Sequence, residues 1–162
     1  MFDIYTIGAD ELRVKASPIE TFDEELAATT ETMLATMMWG KGIGLAGPQV
    51  GIGKRLFVVQ LESGKPFVFI NPEIVATSPD LAEFEEGCLS IPGAYADLTR
   101  PATVRIQAYN VRGRRFNLEA EGLLARVIQH ELDHLDGVLF TDRLPERIRD
   151  RVLKQYEKRM RA

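Results

Sequence analysis

Residues 123–135 form a largely apolar stretch with two histidines near its end: Leu123-Leu124-Ala125-Arg126-Val127-Ile128-Gln129-His130-Glu131-Leu132-Asp133-His134-Leu135. Its apolar side chains recur at helical spacing and would bury most of the circumference of a helix. Gly137 follows, and a glycine at this place is typical of a helix C-terminus. The sequence therefore predicts a central, largely buried helix over residues 123–135.

The two histidines belong to an H-E-x-x-H motif that runs from His130 to His134. Residues four apart on an α-helix lie on one face and are separated by about 6 Å along the axis. Two imidazoles at that spacing can bind one metal ion, and Glu131 between them can act as a general base. The motif is therefore typical of a metal-dependent hydrolase.

A third metal ligand is available from the only cysteine of the chain, Cys88, in the segment Glu85-Glu86-Gly87-Cys88-Leu89-Ser90. A structural metal site is closed by four protein ligands, whereas a catalytic site keeps one position for water. The chain has two histidines and one cysteine, so its nitrogen and sulfur ligands stop at three. We predict that Cys88, His130 and His134 bind one metal ion and leave a position open.

Two aspartates, Asp133 and Asp136, lie close to these ligands in the sequence. Either could hydrogen-bond a ligand histidine and orient its ring, or face solvent. Of these two alternatives, we expect solvent exposure.

Short helices and strands are predicted around the central helix. A capping-box pattern at Thr21-Phe22-Asp23-Glu24 predicts a helix that continues to Met38, and the glycines between Gly40 and Gly53 predict an irregular loop. Strands are predicted at residues 55–61, 67–70 and 73–77 with turns at Ser63-Gly64-Lys65-Pro66 and Asn71-Pro72, a hairpin at 103–110 and 114–118, and a last helix at about 145–160. The sequence predicts one α+β catalytic domain over residues 1–162, with short antiparallel sheets packed around a central metal-binding helix.

The composition is that of a globular protein, with 162 residues, 45% of them hydrophobic and 27% charged. No apolar run approaches the roughly 20 residues needed to cross a bilayer, and the first 20 residues do not look like a targeting segment. One cysteine cannot form an internal disulfide. We therefore expect a reducing compartment, the cytoplasm or, alternatively, an organellar matrix, and we take a monomer as the default.

Residues 145–162 are basic, with seven basic and three acidic side chains in a chain whose net charge is −4. The apolar residues Ile148, Val152, Tyr156 and Met160 recur every four positions and would form one stripe of a helix. Two interpretations stay open: a solvated helix that packs its stripe on the domain, or a basic C-terminal helix that docks on RNA.

Three motifs together resemble the peptide deformylase family: G-I-G-L-A-x-x-Q at residues 42–49, E-G-C-L-S at 86–90 and H-E-x-D-H at 130–134. Residues 12–18 and 119–126 also match the family, and the resemblance covers roughly residues 5–145. One departure is Gly47, where the family usually has alanine.

The resemblance implies removal of the N-formyl group from the N-terminal methionine of newly synthesised polypeptides. Cys88, His130 and His134 would hold one divalent ion, Fe²⁺ in most members, with Zn²⁺, Ni²⁺ or Co²⁺ able to substitute. Glu131 would act as general base and then as general acid. The Gln49 amide and the Leu89 backbone N–H would stabilise the oxyanion.

The resemblance also implies how nascent formyl-Met polypeptides would bind. The methionine pocket would be walled by Ile43, Phe84, Leu123 and Val127. The backbone around Gly44 and Gly87 would pair with the substrate as an added strand. The basic C-terminal helix would meet ribosomal RNA.

Two rival functions remain to be compared. An H-E-x-x-H zinc endopeptidase would take its third ligand from the position of Phe140 or from Glu157, and it would leave Cys88 unused. A domain folded around a structural metal ion and docked on RNA would have no use for Glu131 beside an open position. We therefore favour the deformylase.

Overall fold

The helix that carries the two histidines contacts two separate β-sheets in the computed structural model, which describes residues 1–62 and 64–161. This helix, α2, spans Gly122–Leu135. It is preceded by α1 (Glu24–Trp39) and followed by α3 (Glu146–Arg161).

The larger sheet contains five antiparallel strands in the spatial order β1-β2-β3-β6-β7, namely Gly44–Ala46, Leu56–Val59, Phe67–Thr77, Thr103–Tyr109 and Arg115–Glu121. Strands β4 (Leu81–Cys88) and β5 (Ile91–Pro101) pair as a second sheet. Their register shifts between Gly87 and Cys88, and such an irregularity re-aims the side chain at the end of a strand.

Strand β2 lies between two layers of apolar side chains. Its residues Leu-Phe-Val-Val are all buried. Because side chains alternate along a strand, Phe57 packs in one cluster with Ile128 of α2, whereas Val58 packs in another with Met33 of α1. An uninterrupted apolar run is what a strand covered on both faces requires.

Helix α3 packs on the second sheet through its apolar stripe. Val152 is 6% exposed, and Ile148 and Tyr156 are partly buried in the same cluster. Met160, the last residue of the stripe, is 51% exposed. Most basic side chains of α3 are exposed, among them Arg151, Lys154 and Lys158, whereas Arg159 reaches back to Gly93 of β5.

The α+β class and the central position of the metal-motif helix are confirmed. The hairpin predicted around residues 111–113 is β6–β7. Within the described residues, no helix has the length and apolar character that crossing a membrane demands.

Several local predictions were wrong. Asp23, not the Thr21 of the capping-box pattern, caps α1, because its side chain accepts a hydrogen bond from the Leu26 N–H at 2.9 Å. The glycine-rich segment is not irregular throughout, since it contains β1 and a 3₁₀ turn at Gly47–Val50.

The predicted break at Asn71-Pro72 does not end a strand. Strand β3 runs through it with a register shift, and Asn71 adopts a φ of 50°. The Asn71 side chain bonds both the N–H and the carbonyl of Ile19, which stabilises this conformation. Ser63, part of the other predicted turn, lies outside the described residues.

Gly47, the departure from the family pattern, lies where a side chain has no room. A Cβ there would be 2.8 Å from the Ile52 carbonyl oxygen and 2.9 Å from that of Lys54. Because backbone atoms cannot move aside cheaply, the segment after Gly47 is packed more closely here than an alanine would allow.

Candidate active site

A cleft of about 650 Å³ runs beside α2 and is lined by residues from each of the three motifs. Gly44 of β1 and Gly87 of β4 line it, and each belongs to a strand at the edge of its sheet. Edge strands carry backbone groups that are free to pair with another chain. The cleft is therefore suited to an extended peptide.

The three predicted metal ligands meet at this cleft. Cys88 lies at the end of β4, and His130 and His134 lie one turn apart on α2. Their donor atoms all fall within 4.8 Å of one another, and the Cys88 Sγ to His134 Nε2 distance is 3.3 Å. Tetrahedral coordination with the usual bond lengths would place such donors about 3.5 Å apart. The three residues fit one metal ion.

The charges around the histidines suit a cation. Burial holds the pKa of His134 well below its usual value, which favours the neutral imidazole that binds metals. Burial also lowers the pKa of His130, but hydrogen bonds with Cys88 and Glu86 outweigh it and raise the net value. The negative groups that favour a proton on His130 would equally favour a metal ion.

Glu131 is buried beside these ligands. Its Oε1 has no hydrogen-bond partner among the described residues, and burial raises the pKa of Glu131 to about 7. A buried carboxylate oxygen without a hydrogen-bond partner destabilises the fold, so its presence calls for a functional explanation. Its place next to three metal ligands suits a base that acts on bound water.

The close approach of Glu131 to the backbone explains Gly44. A Cβ at position 44 would lie 2.5 Å from Glu131 Oε2 and 2.7 Å from Val127 Cγ1. Only glycine therefore leaves the carboxylate where it lies.

Gly44→Ala is expected to displace the Glu131 carboxylate and to lower kcat by about tenfold or more, because small displacements of a catalytic group are costly. Metal content should stay unchanged, since the three atoms nearest to this Cβ position belong to Glu131 and Val127 and not to a ligand. Steady-state kinetics and metal analysis would check both. Gly53→Ala, at a glycine with open space around it, is the control. A Gly44→Ala protein with wild-type kcat would show that the carboxylate position is not critical.

The two predicted oxyanion donors line the same cleft. Gln49 Nε2 donates to Ser90 Oγ at 3.1 Å and lies 3.6 Å from Cys88 Sγ, while its Oε1 accepts from the Ala46 N–H at 2.9 Å. Leu89 follows Cys88, and its side chain packs on Gly42. The structure thus brings both residues to the edge of the ligand cluster.

Five of the six predicted substrate-binding residues line the cleft: Ile43, Gly44, Gly87, Leu123 and Val127. Ile43 and Leu123 are 38% and 45% exposed, which is unusual for aliphatic residues unless they await an apolar partner. Phe84 is not part of the lining. The Arg126 guanidinium lies over its ring at 5.2 Å, so Arg126 lines the cleft in its place.

Glu86 is the site residue that the sequence did not reveal. It is 4% exposed and accepts from His130 Nδ1 at 2.9 Å, from Arg100 Nε at 2.6 Å and from Arg126 Nη1 at 2.7 Å. Burial alone would raise the pKa of Glu86, but hydrogen bonds from His130 and Arg100 hold it well below its usual range. The carboxylate thus fixes the orientation of the His130 ring and leaves the other ring nitrogen, Nε2, for a metal ion.

The expectation for the two aspartates was wrong for Asp133. Its side chain is 13% exposed and bonds Arg100 and Arg143 at 2.9 and 2.6 Å. Asp136 is 46% exposed and pairs with Arg55. Neither aspartate bonds a histidine. The carboxylate that bonds His130 is instead that of Glu86, on β4 of the two-stranded sheet.

Comparisons with known proteins agree with this geometry. Residues 1–150 match the family model for polypeptide deformylase. A peptide deformylase of Azotobacter vinelandii is 49% identical over 152 residues, which are 93% of this chain and 90% of that protein. One from Borreliella burgdorferi is 46% identical over 148 residues, which are 91% of this chain and 90% of that protein.

Solved structures are similar over nearly the whole chain. A peptide deformylase from Legionella pneumophila has a TM-score of 0.94 at 40% identity and covers 99% of this chain and 96% of its own. One from Synechococcus elongatus, in complex with actinonin, has a TM-score of 0.92 at 46% identity and covers 95% and 86%. The extent of these matches, together with the Cys-His-His cluster beside Glu131, shows that the chain belongs to the polypeptide deformylase family.

Proposed function

We propose that this protein removes the N-formyl group from the N-terminal methionine of newly synthesised polypeptides by metal-dependent hydrolysis. The observation that carries the proposal is the convergence of Cys88, His130 and His134 within 4.8 Å beside the buried carboxylate of Glu131. Family membership supports the same reaction.

In this mechanism Cys88, His130 and His134 would hold one divalent metal ion. When bound, the ion supplies Lewis acidity that makes a water molecule nucleophilic near neutral pH. Glu131 would take a proton from the attacking water as the oxygen of that water bonds to the formyl carbon. The same carboxyl group then gives the proton to the amine nitrogen as the C–N bond breaks, which leaves formate and a free N-terminus.

Two groups act on the formyl oxygen in this proposal. The Gln49 amide and the Leu89 backbone N–H donate hydrogen bonds to the negative charge that develops there. Both residues line the cleft next to Cys88, which supports the assignment.

The substrate would lie in the cleft as an extended chain. Backbone groups at Gly44 and Gly87 would pair with it, and Ile43, Leu123 and Val127 would contact the methionine side chain. Ile43 and Leu123 are exposed in the free protein, which supports this role, because their apolar surface is buried only when a substrate binds.

The endopeptidase alternative is not supported. Phe140 is buried and stacks on His130 with ring centroids 5.9 Å apart, so it closes one side of the site without offering a ligand. Glu157 lies exposed on α3. In our proposal Cys88 would fill the third ligand position, and an endopeptidase of this type would not use it.

Formate release from a formyl-Met peptide tests the proposed function. The protein loaded anaerobically with Fe²⁺ is expected to release formate and to be inactive on an internal peptide bond. Cleavage of internal bonds without formate release would instead support the endopeptidase.

We further propose that the native metal is Fe²⁺ and that the protein works in a reducing, cytoplasmic compartment. The compartment follows from the metal, because a thiolate on ferrous iron in an open site is vulnerable to oxygen. The iron-loaded protein should lose activity in air, whereas the nickel-loaded protein should keep it. Equal stability of both forms in air would contradict a labile ferrous cofactor.

We also propose that α3 docks on ribosomal RNA near the polypeptide exit. Arg151, Lys154 and Lys158 are exposed, and the buried stripe of α3 leaves these cations free to meet phosphate. Binding of this kind weakens steeply with salt because counterions are released from the RNA.

Reversal of Arg151, Lys154 and Lys158 to glutamate is expected to reduce co-sedimentation with ribosomes at low salt and to leave turnover of a short formyl peptide unchanged. The same charge change at Arg112, Arg114 and Arg115, which are exposed around the β6–β7 turn, is the matched control. Equal co-sedimentation of the α3 variant and wild type would rule out the docking role.

A further inference from the structure

The two walls of the active-site cleft belong to different β-sheets, whose strands are not paired with each other. One wall carries Gln49, in the 3₁₀ turn after β1. The other carries Cys88, at the end of β4, and Ser90 in the following turn. A shift between the sheets would move the Gln49 amide relative to the Cys88 sulfur. A displacement of about 1 Å can cost about a hundredfold in rate. The contacts that join the two walls, which we call the joint, therefore affect turnover.

Residues 4–7 cross this joint and hold the main chain on both sides. The Tyr5 N–H donates to the carbonyl oxygen of Gln49 at 2.8 Å, and the Ile7 N–H donates to the carbonyl oxygen of Ser90 at 2.9 Å. The same two partners are joined again by their side chains, through Gln49 Nε2 and Ser90 Oγ at 3.1 Å. The segment and the side-chain bond form a closed loop of hydrogen bonds around Gln49.

The segment is itself anchored to its surroundings. Ile4 lines the cleft. Just upstream, the Phe2 N–H donates to Thr36 Oγ1 of α1 at 3.0 Å. A segment fixed at these points can transmit a restraint to the backbone of Gln49.

We propose that residues 4–7 are a positioning segment that holds the Gln49 amide in place relative to Cys88 and thereby sets turnover rather than substrate affinity. The proposal rests on the proposed function, because it acts through the contact of Gln49 with the formyl oxygen. Backbone N–H groups carry the restraint, so the loss of a donor matters and the loss of a side chain does not.

Tyr5→Pro tests the proposal because proline has no N–H to donate to Gln49. The expected result is a loss of kcat of about tenfold or more with KM within about twofold of wild type. Tyr5→Ala keeps the N–H and is the matched control, with kcat expected to stay within about twofold of wild type. Metal content should remain one ion per chain in every variant.

A double-mutant cycle separates positioning from a general loss of stability. In the Gln49→Ala background the group to be positioned is absent, so Tyr5→Pro is expected to cost less than about twofold in kcat. Losses that add in the double variant would overturn the proposal, since the segment would then act elsewhere.

Proline also restrains φ, so a second variant guards against misfolding. The α-hydroxy acid analogue of tyrosine at position 5 replaces the N–H by an ester oxygen and leaves φ free. If circular dichroism shows that Tyr5→Pro unfolds, the kcat, KM and double-mutant comparisons are made with the ester protein instead, and they test the proposal. A wild-type protein that releases no formate contradicts the proposed function. An active wild type with unchanged kcat in both donor-free variants contradicts the positioning segment alone.

Discussion

Cys88→Ala is expected to abolish tight metal binding and, with it, formate release. The described residues offer three ligands at this point, and removal of the thiolate leaves two imidazoles that hold an ion weakly. Loss of only an outer partner of a metal ligand already costs about 10- to 100-fold in affinity. We therefore expect a loss beyond about 100-fold for the ligand itself, measured as metal content after dialysis and as activity after reloading.

Controls distinguish this result from unfolding. His130→Ala and His134→Ala should behave like Cys88→Ala, whereas Ser90→Ala, which removes a neighbour of Cys88 but no ligand, should keep its metal. Circular dichroism would compare each variant with metal-free wild type. A Cys88→Ala protein that retains a full equivalent of metal would refute the ligand assignment and revive the endopeptidase hypothesis.

Glu131→Gln is expected to lower kcat by about 100-fold or more, the usual scale for a general acid–base group. Glutamine fills the same buried space but cannot accept a proton. Metal content should be preserved, because Glu131 is not one of the three ligands. Kinetics on a formyl-Met peptide and metal analysis of the same sample would measure both effects.

Glu31→Gln, which makes the same change at an exposed position of α1, is the control and should leave kcat unaltered. An essentially normal rate in Glu131→Gln would remove this residue from the mechanism. Loss of metal in the same variant would mean that Glu131 acts as a ligand rather than as a base.

Much of the fold was predictable because it depends on local patterns. Helix α2 follows from apolar periodicity and a glycine stop, and β2 from a run of four apolar residues. Strands β4 and β5 were not predicted. They contain glutamates, glycine and prolines that disfavour strands when considered alone, and they are stabilised by pairing with each other and by packing against α2 and α3.

The missed strands explain the missed site residue. Glu86 stands two positions before Cys88 on the same strand, β4. Had β4 been recognised, Glu86 would have been expected near the metal. Phe84, on the same strand, is absent from the cleft lining, and its ring lies under Arg126 of α2.

The candidate metal ligands and the candidate base could be proposed without the fold. Two of the ligands and the base lie close together in one helical motif, and cysteine and histidine are scarce in the chain. The contacts that hold these residues in place could not be inferred from the sequence. The bond between Glu86 and His130 joins residues 44 positions apart, and the contacts of residues 4–7 join two sheets. Such contacts exist only after the strands pair and α2 packs between the sheets, since no local pattern in the chain encodes the distance between segments that meet in space.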